Sequence, residues 1–128
     1  MATELACTLQ PDDFVWLEVQ ESDVSKICEL NDAFRATLIG GKVMLTQGIQ
    51  ALGEAGMCAA IETVRAFNTF TEGNDPHGEH DFGSFEIAGE RCFWKIDYYD
   101  KTLRYGSEDS EDPEKTTRVL TVMLASEY

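Results

Sequence analysis

The stretch FGSFEIAGERCFWKIDYYD, residues 82–100, predicts a β-hairpin. One strand covers Phe82–Ile87, the turn falls at residues 88–90, and the second strand covers residues 91–99. Successive side chains of a strand point to opposite faces. One face of the second strand then carries Cys92, Trp94, Ile96 and Tyr98, and the other carries Phe93, Lys95, Asp97 and Tyr99. The hairpin therefore has one face to bury against helices and a second aromatic face that a partner or ligand can contact.

Two amphipathic helices are expected before this hairpin. Ser22 and Asp23 supply the chemistry of a helix start, and the apolar spacing continues to Leu38, before Gly40 and Gly41 end the helix. The second helix should run from residue 53 or 54 to about residue 70, with an apolar stripe on one side. Residues 42–48, KVMLTQG, lie between the two helices and favour a buried strand.

The two ends of the chain are less clearly patterned. Residues 1–12 are interpreted as a flexible N-terminal arm, and DFVWLEVQ at 13–20 as a first strand. In residues 117–126, Val119, Leu120, Met123 and Leu124 form a stripe that favours a helix, although VLTVML also suits a strand. The sequence leaves that choice open.

These elements predict an α+β protein. A chain of 128 residues is of single-domain size and long enough to bury its own core. We expect a single compact domain over residues 13–128, with a small, mainly antiparallel sheet of three to four strands packed by two or three helices.

The charge of the chain disfavours direct binding to nucleic acid. Asp and Glu number 24 and Lys and Arg 10, which gives a formal net charge of -14. The basic residues are scattered singly, so no cluster is present to neutralise phosphates. The same field attracts basic surfaces, and we expect a protein partner that carries one. The alternative is that the acidity only maintains solubility.

Cysteine usage and hydropathy indicate a reduced, cytoplasmic protein. Cys7, Cys28, Cys58 and Cys92 are widely spaced and form no CxxC pair. Cys28 and Cys58 are expected to be small buried hydrophobic residues. The sequence shows no signal-peptide pattern and no run of about 18 apolar residues, so no membrane association is expected.

The segment NDPHGEHDF, residues 74–82, contains the clearest candidate for chemistry. As an acid/base site it would use His80 with Glu79, Asp81 or Asp97. As a metal site it would use His77 and His80 with a third ligand from elsewhere, such as Asp97 or Asp100, but Pro76 and Gly78 argue against the helix that would align the two histidines. We therefore expect no metal and no cofactor. The alternative is a turn that opens a strand, in which His80 donates to a backbone carbonyl and Phe82 enters the core.

A second candidate site is acidic. The segment SEDSEDPE, residues 107–114, is interpreted either as a solvated loop or as an interaction patch. With the aromatic strand it supplies the expected partner-binding residues, which are Glu108, Asp109, Glu111, Asp112, Glu114, Tyr99 and Asp100.

The segments LNDAFR (30–35), GGKVMLTQGI (40–49), NDPHGEHDFGSFEI (74–87), FWKIDYYD (93–100) and TRVLTVMLASEY (117–128) resemble an uncharacterised family of small bacterial proteins, a domain of unknown function. The pattern of that family matches Asn74, Asp75, Pro76, Gly78, Glu79, His80, Asp81, Phe82 and Gly83. His77 departs from it, which leaves His80 as the better histidine. The resemblance implies no activity or ligand, but it does imply plasmid and accessory-gene contexts, where small acidic proteins often act against host defence systems.

The sequence thus favours a non-catalytic acidic interaction protein, for which one hypothesis is a DNA-mimicking inhibitor of a nuclease, restriction enzyme or other defence system. The alternative is a small hydrolase or metal-assisted enzyme centred on Glu79, His80 and Asp81. Whether the chain forms a homodimer is left open.

Overall fold

The computed structural model describes residues 23–128, so the expected arm at 1–12 and strand at 13–20 lie outside the described part of the chain. The helices are α1 (Asp23–Thr37), α2 (Gln47–Gln50) and α3 (Gly53–Ala66). The strands are β1 (Gly41–Leu45), β2 (Phe82–Ile87), β3 (Glu90–Tyr99) and β4 (Thr117–Leu124), and a 3-10 helix at Ala125–Glu127 follows. None of the helices within residues 23–128 is both long and apolar enough to cross a membrane.

The four strands form one sheet in the order β1-β4-β3-β2. The predicted hairpin β2–β3 is antiparallel, with Phe85 opposite Cys92, and β3 pairs antiparallel with β4. Strand β1 pairs parallel with β4, with Gly41 opposite Arg118. The α+β architecture and the mainly antiparallel sheet are therefore confirmed, with one parallel pair at the edge.

The helices cover one face of this sheet. Phe34 of α1, Ile49 of α2, and Ala60 and Val64 of α3 are buried in one cluster with side chains of the sheet. The sheet residues of that cluster are Phe85, Cys92, Trp94, Ile96, Leu120 and Val122. The opposite face bears a shallow groove of about 510 Å³ lined by Lys95, Asp97 and Tyr99 among others. The predicted division of β3 into two faces is confirmed.

The helix interpretation of residues 117–126 is wrong, because Thr117–Leu124 form strand β4. This strand lies between β1 and β3, so it is buried on both faces: Leu120 and Val122 are 0 % exposed beneath the helices, and Val119 and Met123 are 6 % and 4 % exposed on the other side. A strand buried on both faces is apolar at consecutive positions. That pattern is easily mistaken for a helical stripe.

Three smaller expectations also fail. Strand β1 ends at Leu45 and is an edge strand with exposed Val43 and Met44, not a buried one. Helix α3 ends at Ala66 rather than near residue 70, because Phe67 is extended and its ring packs against Phe70 and Trp94. Cys58 is exposed, whereas Cys28 is partly buried.

Glu127 connects the 3-10 helix to the start of α2. Its carboxylate accepts hydrogen bonds from the Thr46 hydroxyl at 2.6 Å and from the backbone N–H groups of Gly48 at 2.9 Å and Leu124 at 2.8 Å. These bonds lower the pKa of Glu127, and the bond from the Thr46 hydroxyl is the main cause. The charged carboxylate therefore stabilises the junction of α2 with β4.

We expect Glu127→Gln to lower the free energy of unfolding at pH 7. Because the folded-state pKa of Glu127 is depressed, its contribution is present above the unfolded-state pKa and is lost as the pH falls through the folded-state value. The difference in the free energy of unfolding between wild type and variant should therefore disappear as the pH falls below about 4. Urea denaturation across this pH range measures it, and a gap that persists at low pH would contradict the assignment.

Gly83 allows β2 to pass close to the aromatic core. A Cβ at this position would collide with the indole nitrogen of Trp94 and approach the Phe67 ring to 2.8 Å. We expect Gly83→Ala to destabilise the protein by about 1–3 kcal/mol, as overpacking of a core does. The control is Gly106→Ala, whose Cβ would meet nothing closer than 3.9 Å and whose effect should stay within about 0.5 kcal/mol. Equal urea midpoints for the two variants would refute the collision.

Candidate functional site

His80 lies in the segment between α3 and β2, in a turn that Asp75 stabilises. His80 has a positive φ of 57°. One oxygen of the Asp75 carboxylate accepts hydrogen bonds from the backbone N–H groups of Glu79 at 3.1 Å and His80 at 3.2 Å. Left-handed backbone at a residue other than glycine costs of the order of 1 kcal/mol or more and persists only where its surroundings enforce it. Asp75 provides that enforcement, with a side chain that is only 5 % exposed.

The imidazole of His80 is held between two carboxylates. Its Nδ1 lies 2.9 Å from Oδ1 and 3.1 Å from Oδ2 of Asp32, and its Nε2 lies 3.6 Å from Oδ2 of Asp75. The Phe70 ring stacks on the imidazole with centroids 3.8 Å apart and planes 4° from parallel. The orientation of the ring is thus fixed on several sides.

Asp32 brings helix α1 into this site. Its Oδ1 accepts a hydrogen bond at 2.9 Å from the guanidinium of Arg35, and its Oδ2 lies 3.7 Å from Sγ of Cys28, four residues earlier on the same helix. Cys28, Asp32 and His80 each place one ligand-type atom within 4.8 Å of the other two. Helix α1 and the His80 turn, 48 residues apart in sequence, therefore converge on one small region.

The thiol of Cys28 is not activated for nucleophilic attack. Burial first, and then the negative charge of Asp32, raise the pKa of Cys28 to about 11. Reactive cysteines instead have pKa values lowered by cationic neighbours. At neutral pH Cys28 is a thiol, and a Cys–His nucleophile is not what this geometry supports.

Glu79 and Asp81 flank His80 in sequence but turn towards Tyr98. The Tyr98 hydroxyl lies 3.1 Å from Oε1 of Glu79 and 3.5 Å from Oδ2 of Asp81, and it accepts a hydrogen bond at 2.8 Å from the Asn31 amide. Burial, together with the charge of Glu79, raises the pKa of Asp81. Burial also raises the pKa of Tyr98. This second cluster is a hydrogen-bonded support beneath the His80 turn.

Arg118 connects this support to the acidic segment 107–114, called the acidic loop from here on. It is 4 % exposed, and its Nε donates to Oδ1 of Asn31 at 2.7 Å. A second guanidinium nitrogen donates to the backbone carbonyl of Ser110 at 2.6 Å. The Asn31 amide in turn donates to the backbone carbonyl of Glu79 at 2.9 Å. One buried chain of hydrogen bonds therefore joins the acidic loop, β4, α1 and the His80 turn.

The predicted enzyme residues are only partly brought together. His80, Glu79 and Asp81 lie in one turn, whereas Asp97 lies on the opposite face of the sheet and forms an ion pair with Lys95 at 2.8 Å. His77 is exposed on the same turn. Two details of the turn interpretation are wrong. The His80 ring pairs with the Asp32 carboxylate rather than with a backbone carbonyl. Phe82 contacts Phe93 on the open face of the sheet and does not enter the core beneath the helices.

The predicted partner-binding residues fall into two regions. Glu108, Asp109, Glu111, Asp112 and Glu114 lie in the acidic loop, and Tyr99 lines the groove on the open face of the sheet. Asp100 caps the following turn, where its Oδ1 accepts hydrogen bonds from the hydroxyl and the N–H of Thr102 and from the N–H of Arg104. These bonds lower the pKa of Asp100, the Thr102 hydroxyl being the main cause.

Sequence reasoning missed the polar residues of α1 that build the site, and one signal could have found them. Asn31 and Arg35 are spaced four residues apart and lie beside Ile27 and Phe34 on the buried side of the helix. Polar residues on an apolar stripe must be satisfied by buried partners. Asn31 and Arg35 are 0 % and 4 % exposed.

We expect Asn31→Ala to lower the free energy of unfolding by at least about 2 kcal/mol, because it leaves Arg118 Nε and the Glu79 carbonyl without their buried partner. Thermal or urea unfolding measures this. The control is Asn68→Ala at an exposed position, expected to change stability by no more than about 0.5 kcal/mol. Similar losses in the two variants would show that the buried chain is not what stabilises the turn.

No curated protein and no solved structure matches this chain. A family described as "Protein of unknown function (DUF3768)" matches residues 45–127. The match includes the His80 turn, the sheet from β2 to β4 and the acidic loop, whereas Cys28, Asp32 and the rest of α1 precede it. Because the match spans well over half of the 128 residues, the chain belongs to this family of proteins of unknown function.

Proposed function

We propose that this protein is a non-catalytic interaction protein that uses the acidic loop to bind a protein partner with a basic surface. The observation that carries the proposal is the hydrogen-bonded order of that loop. Oδ1 of Asp109 accepts from the N–H of Glu111 at 3.1 Å, and Oδ1 of Asp112 accepts from the N–H of Glu114 at 2.9 Å. The buried Thr116 hydroxyl donates to the Asp109 carbonyl at 2.6 Å. A loop held in this way loses little conformational entropy when it binds.

The acidic residues of the loop have two different roles, and this also supports binding. Asp109 and Asp112 each use a carboxylate oxygen to hold the backbone. Glu108 and Glu114 are exposed, and their carboxylates cap no backbone N–H within residues 23–128. Arg118 anchors the loop from below through the Ser110 carbonyl. The loop therefore presents outward carboxylates on a backbone with its own internal supports, which favours the interaction-patch interpretation over that of a merely solvated loop.

Several of the basic residues are not available to contact a partner. Arg35 and Arg118 are two of the ten basic residues, and both lie beneath the surface. Among the other eight, Arg65, Arg91 and Lys95 form ion pairs with Glu62, Glu86 and Asp97. The outward charge that a partner meets is thus dominated by carboxylates. Such a field accelerates association with a basic protein surface and weakens as salt is added.

The partner class that fits this charge is a protein whose basic groove normally binds nucleic-acid phosphates. Carboxylates on an ordered loop occupy such a groove as phosphates do, by opposite charge and hydrogen bonding to Arg and Lys. Inhibition of a nuclease, restriction enzyme or other defence protein is the form of this function that we propose. The enzyme alternative has weaker support, because Glu79 and Asp81 contact Tyr98 and Asp97 pairs with Lys95 on the opposite face of the sheet.

The test compares two double variants that remove the same charge from different places. Glu108→Gln with Glu114→Gln neutralises two exposed acids of the loop without removing a backbone cap. Glu54→Gln with Glu72→Gln neutralises two exposed acids elsewhere. Tagged wild-type protein is used to capture partners at low salt, and the affinity of each variant for a purified partner is then measured in competition with double-stranded DNA.

We expect the partner to be displaced by DNA and by high salt. The loop variant should bind about 5- to 30-fold more weakly, as two lost carboxylate contacts of about 0.5–1 kcal/mol each predict, and the control variant should bind nearly as tightly as wild type. Recovery of no partner at low salt would overturn the proposal. Equal weakening in both variants would show that only net charge matters and that the loop is not the binding surface.

A further inference from the structure

Cys28 and Asp32 lie one helical turn apart on α1, and His80 approaches them from the turn before β2. Residues four apart on a helix project to the same side, which is the spacing at which two side chains can hold one ion. The geometry points to a binding site for a borderline-soft divalent cation of the Zn²⁺ class, with Sγ of Cys28, Oδ2 of Asp32 and Nδ1 of His80 as ligands. This inference is independent of the acidic loop.

The distances suit a tetrahedral ion. Zinc binds sulfur at about 2.3 Å and nitrogen or oxygen at about 2.0–2.2 Å, so ligand atoms on one tetrahedron lie about 3.3–3.6 Å apart. Oδ2 of Asp32 is 3.1 Å from Nδ1 of His80 and 3.7 Å from Sγ of Cys28. The farthest pair of the three ligand atoms is within 4.8 Å. Side-chain rotations that move the ligand atoms by a few tenths of an ångström to about 1 Å would bring all three within bonding distance of one ion.

The surrounding side chains hold the ligands as they would be held around a metal. The Arg35 guanidinium donates to Oδ1 of Asp32, and Oδ2, which Arg35 does not bind, lies 3.7 Å from Sγ of Cys28 and 3.1 Å from Nδ1 of His80. Asp75 lies on the far side of the imidazole, with Oδ2 at 3.6 Å from Nε2. A carboxylate that hydrogen-bonds a metal-binding histidine fixes its tautomer and typically changes affinity 10- to 100-fold. Asp75 lies just outside hydrogen-bond distance of Nε2, on the side of the ring where such a partner stands. The parallel Phe70 ring prevents the imidazole from rotating away.

The choice of ligands favours zinc over the hard cations. The Cys28 thiol loses its proton to solvent as the ion binds. A thiolate and an imidazole with one carboxylate suit Zn²⁺, whereas Mg²⁺ and Ca²⁺ prefer oxygen ligands throughout. The side chain of Asp32 is 44 % exposed and that of His80 is 27 % exposed, so one side of the three-ligand set faces solvent. Water can complete the tetrahedron there, as it does in sites that keep an open position.

The test uses Co²⁺ and Zn²⁺ as probes on the full chain after treatment with a chelator. Cobalt bound by a thiolate shows a near-ultraviolet ligand-to-metal charge-transfer band, which surface carboxylates cannot produce. Titrations are run at high salt with excess Mg²⁺, so that the acidic surface does not compete. We expect one Co²⁺ per chain with this band, displacement by Zn²⁺, and a higher melting temperature with Zn²⁺.

The matched pairs are Cys28→Ser against Cys58→Ser, and His80→Gln against His77→Gln. Cys58 and His77 are exposed and stand outside the three-ligand set, so their variants should bind like wild type. Cys28→Ser should lose the band and the Zn²⁺-dependent rise in melting temperature, and His80→Gln should weaken Zn²⁺ binding at least about 10-fold. Circular dichroism of each metal-free variant confirms that it is folded. Serine replaces cysteine with little change of volume. If His80→Gln unfolds, the comparison of Cys28→Ser with Cys58→Ser therefore tests the site on its own.

Absence of the charge-transfer band from the wild type overturns the inference, as does a band that persists in Cys28→Ser. Zn²⁺ affinity that is unchanged in both Cys28→Ser and His80→Gln would show that only surface carboxylates bind the ion. None of these outcomes depends on whether a protein partner is found.

Discussion

Arg35 is 4 % exposed, and its guanidinium joins helix α1 to the end of α3 and to the sheet beneath them. It donates to the backbone carbonyls of Val64 at 2.8 Å and Phe67 at 2.7 Å, where α3 ends, and it pairs with Asp32. It also lies 4.9 Å from the ring centroid of Trp94. Carbonyls at the end of a helix otherwise lack partners, and a buried cation needs several. The guanidinium and the two carbonyls satisfy one another here, although Arg35 Nε has no hydrogen-bond partner within residues 23–128. The packing of the helices depends on this contact.

The position of the candidate metal site follows from this contact. Because Arg35 fixes α1 against α3, Asp32 and Cys28 are presented to the turn that leaves α3, and His80 meets them there. The acidic loop depends on a second buried arginine, Arg118, which reaches it from β4. Asn31 lies between the two systems and bonds to Arg118 and to the Glu79 carbonyl. Two surfaces with different chemistry therefore share one buried scaffold.

Local patterns were enough to predict the hairpin and α1, because Phe82–Tyr99 alternate cleanly and the apolar residues of α1 recur at helical spacing. They were insufficient for β4, since a central strand buried on both faces loses the alternation that identifies strands. The histidine of the candidate site was predicted, but its partners Asp32, Asp75 and Arg35 were not assigned these roles. Asp32 and His80 are 48 residues apart, and only the packing of α1 against α3 brings them together.

The parallel pairing of β1 with β4 has a consequence for folding during synthesis. Gly41 pairs with Arg118, and β3 takes β4 as its second neighbour. Among the strands within residues 23–128, β1 has no neighbour and β3 has only β2 until residues 117–124 have left the ribosome. Contacts this far apart in sequence close slowly, because the intervening chain must be ordered first. The helices and the hairpin can form early, but the nascent chain leaves the backbone hydrogen-bonding edge of β3 that β4 later occupies without a partner strand.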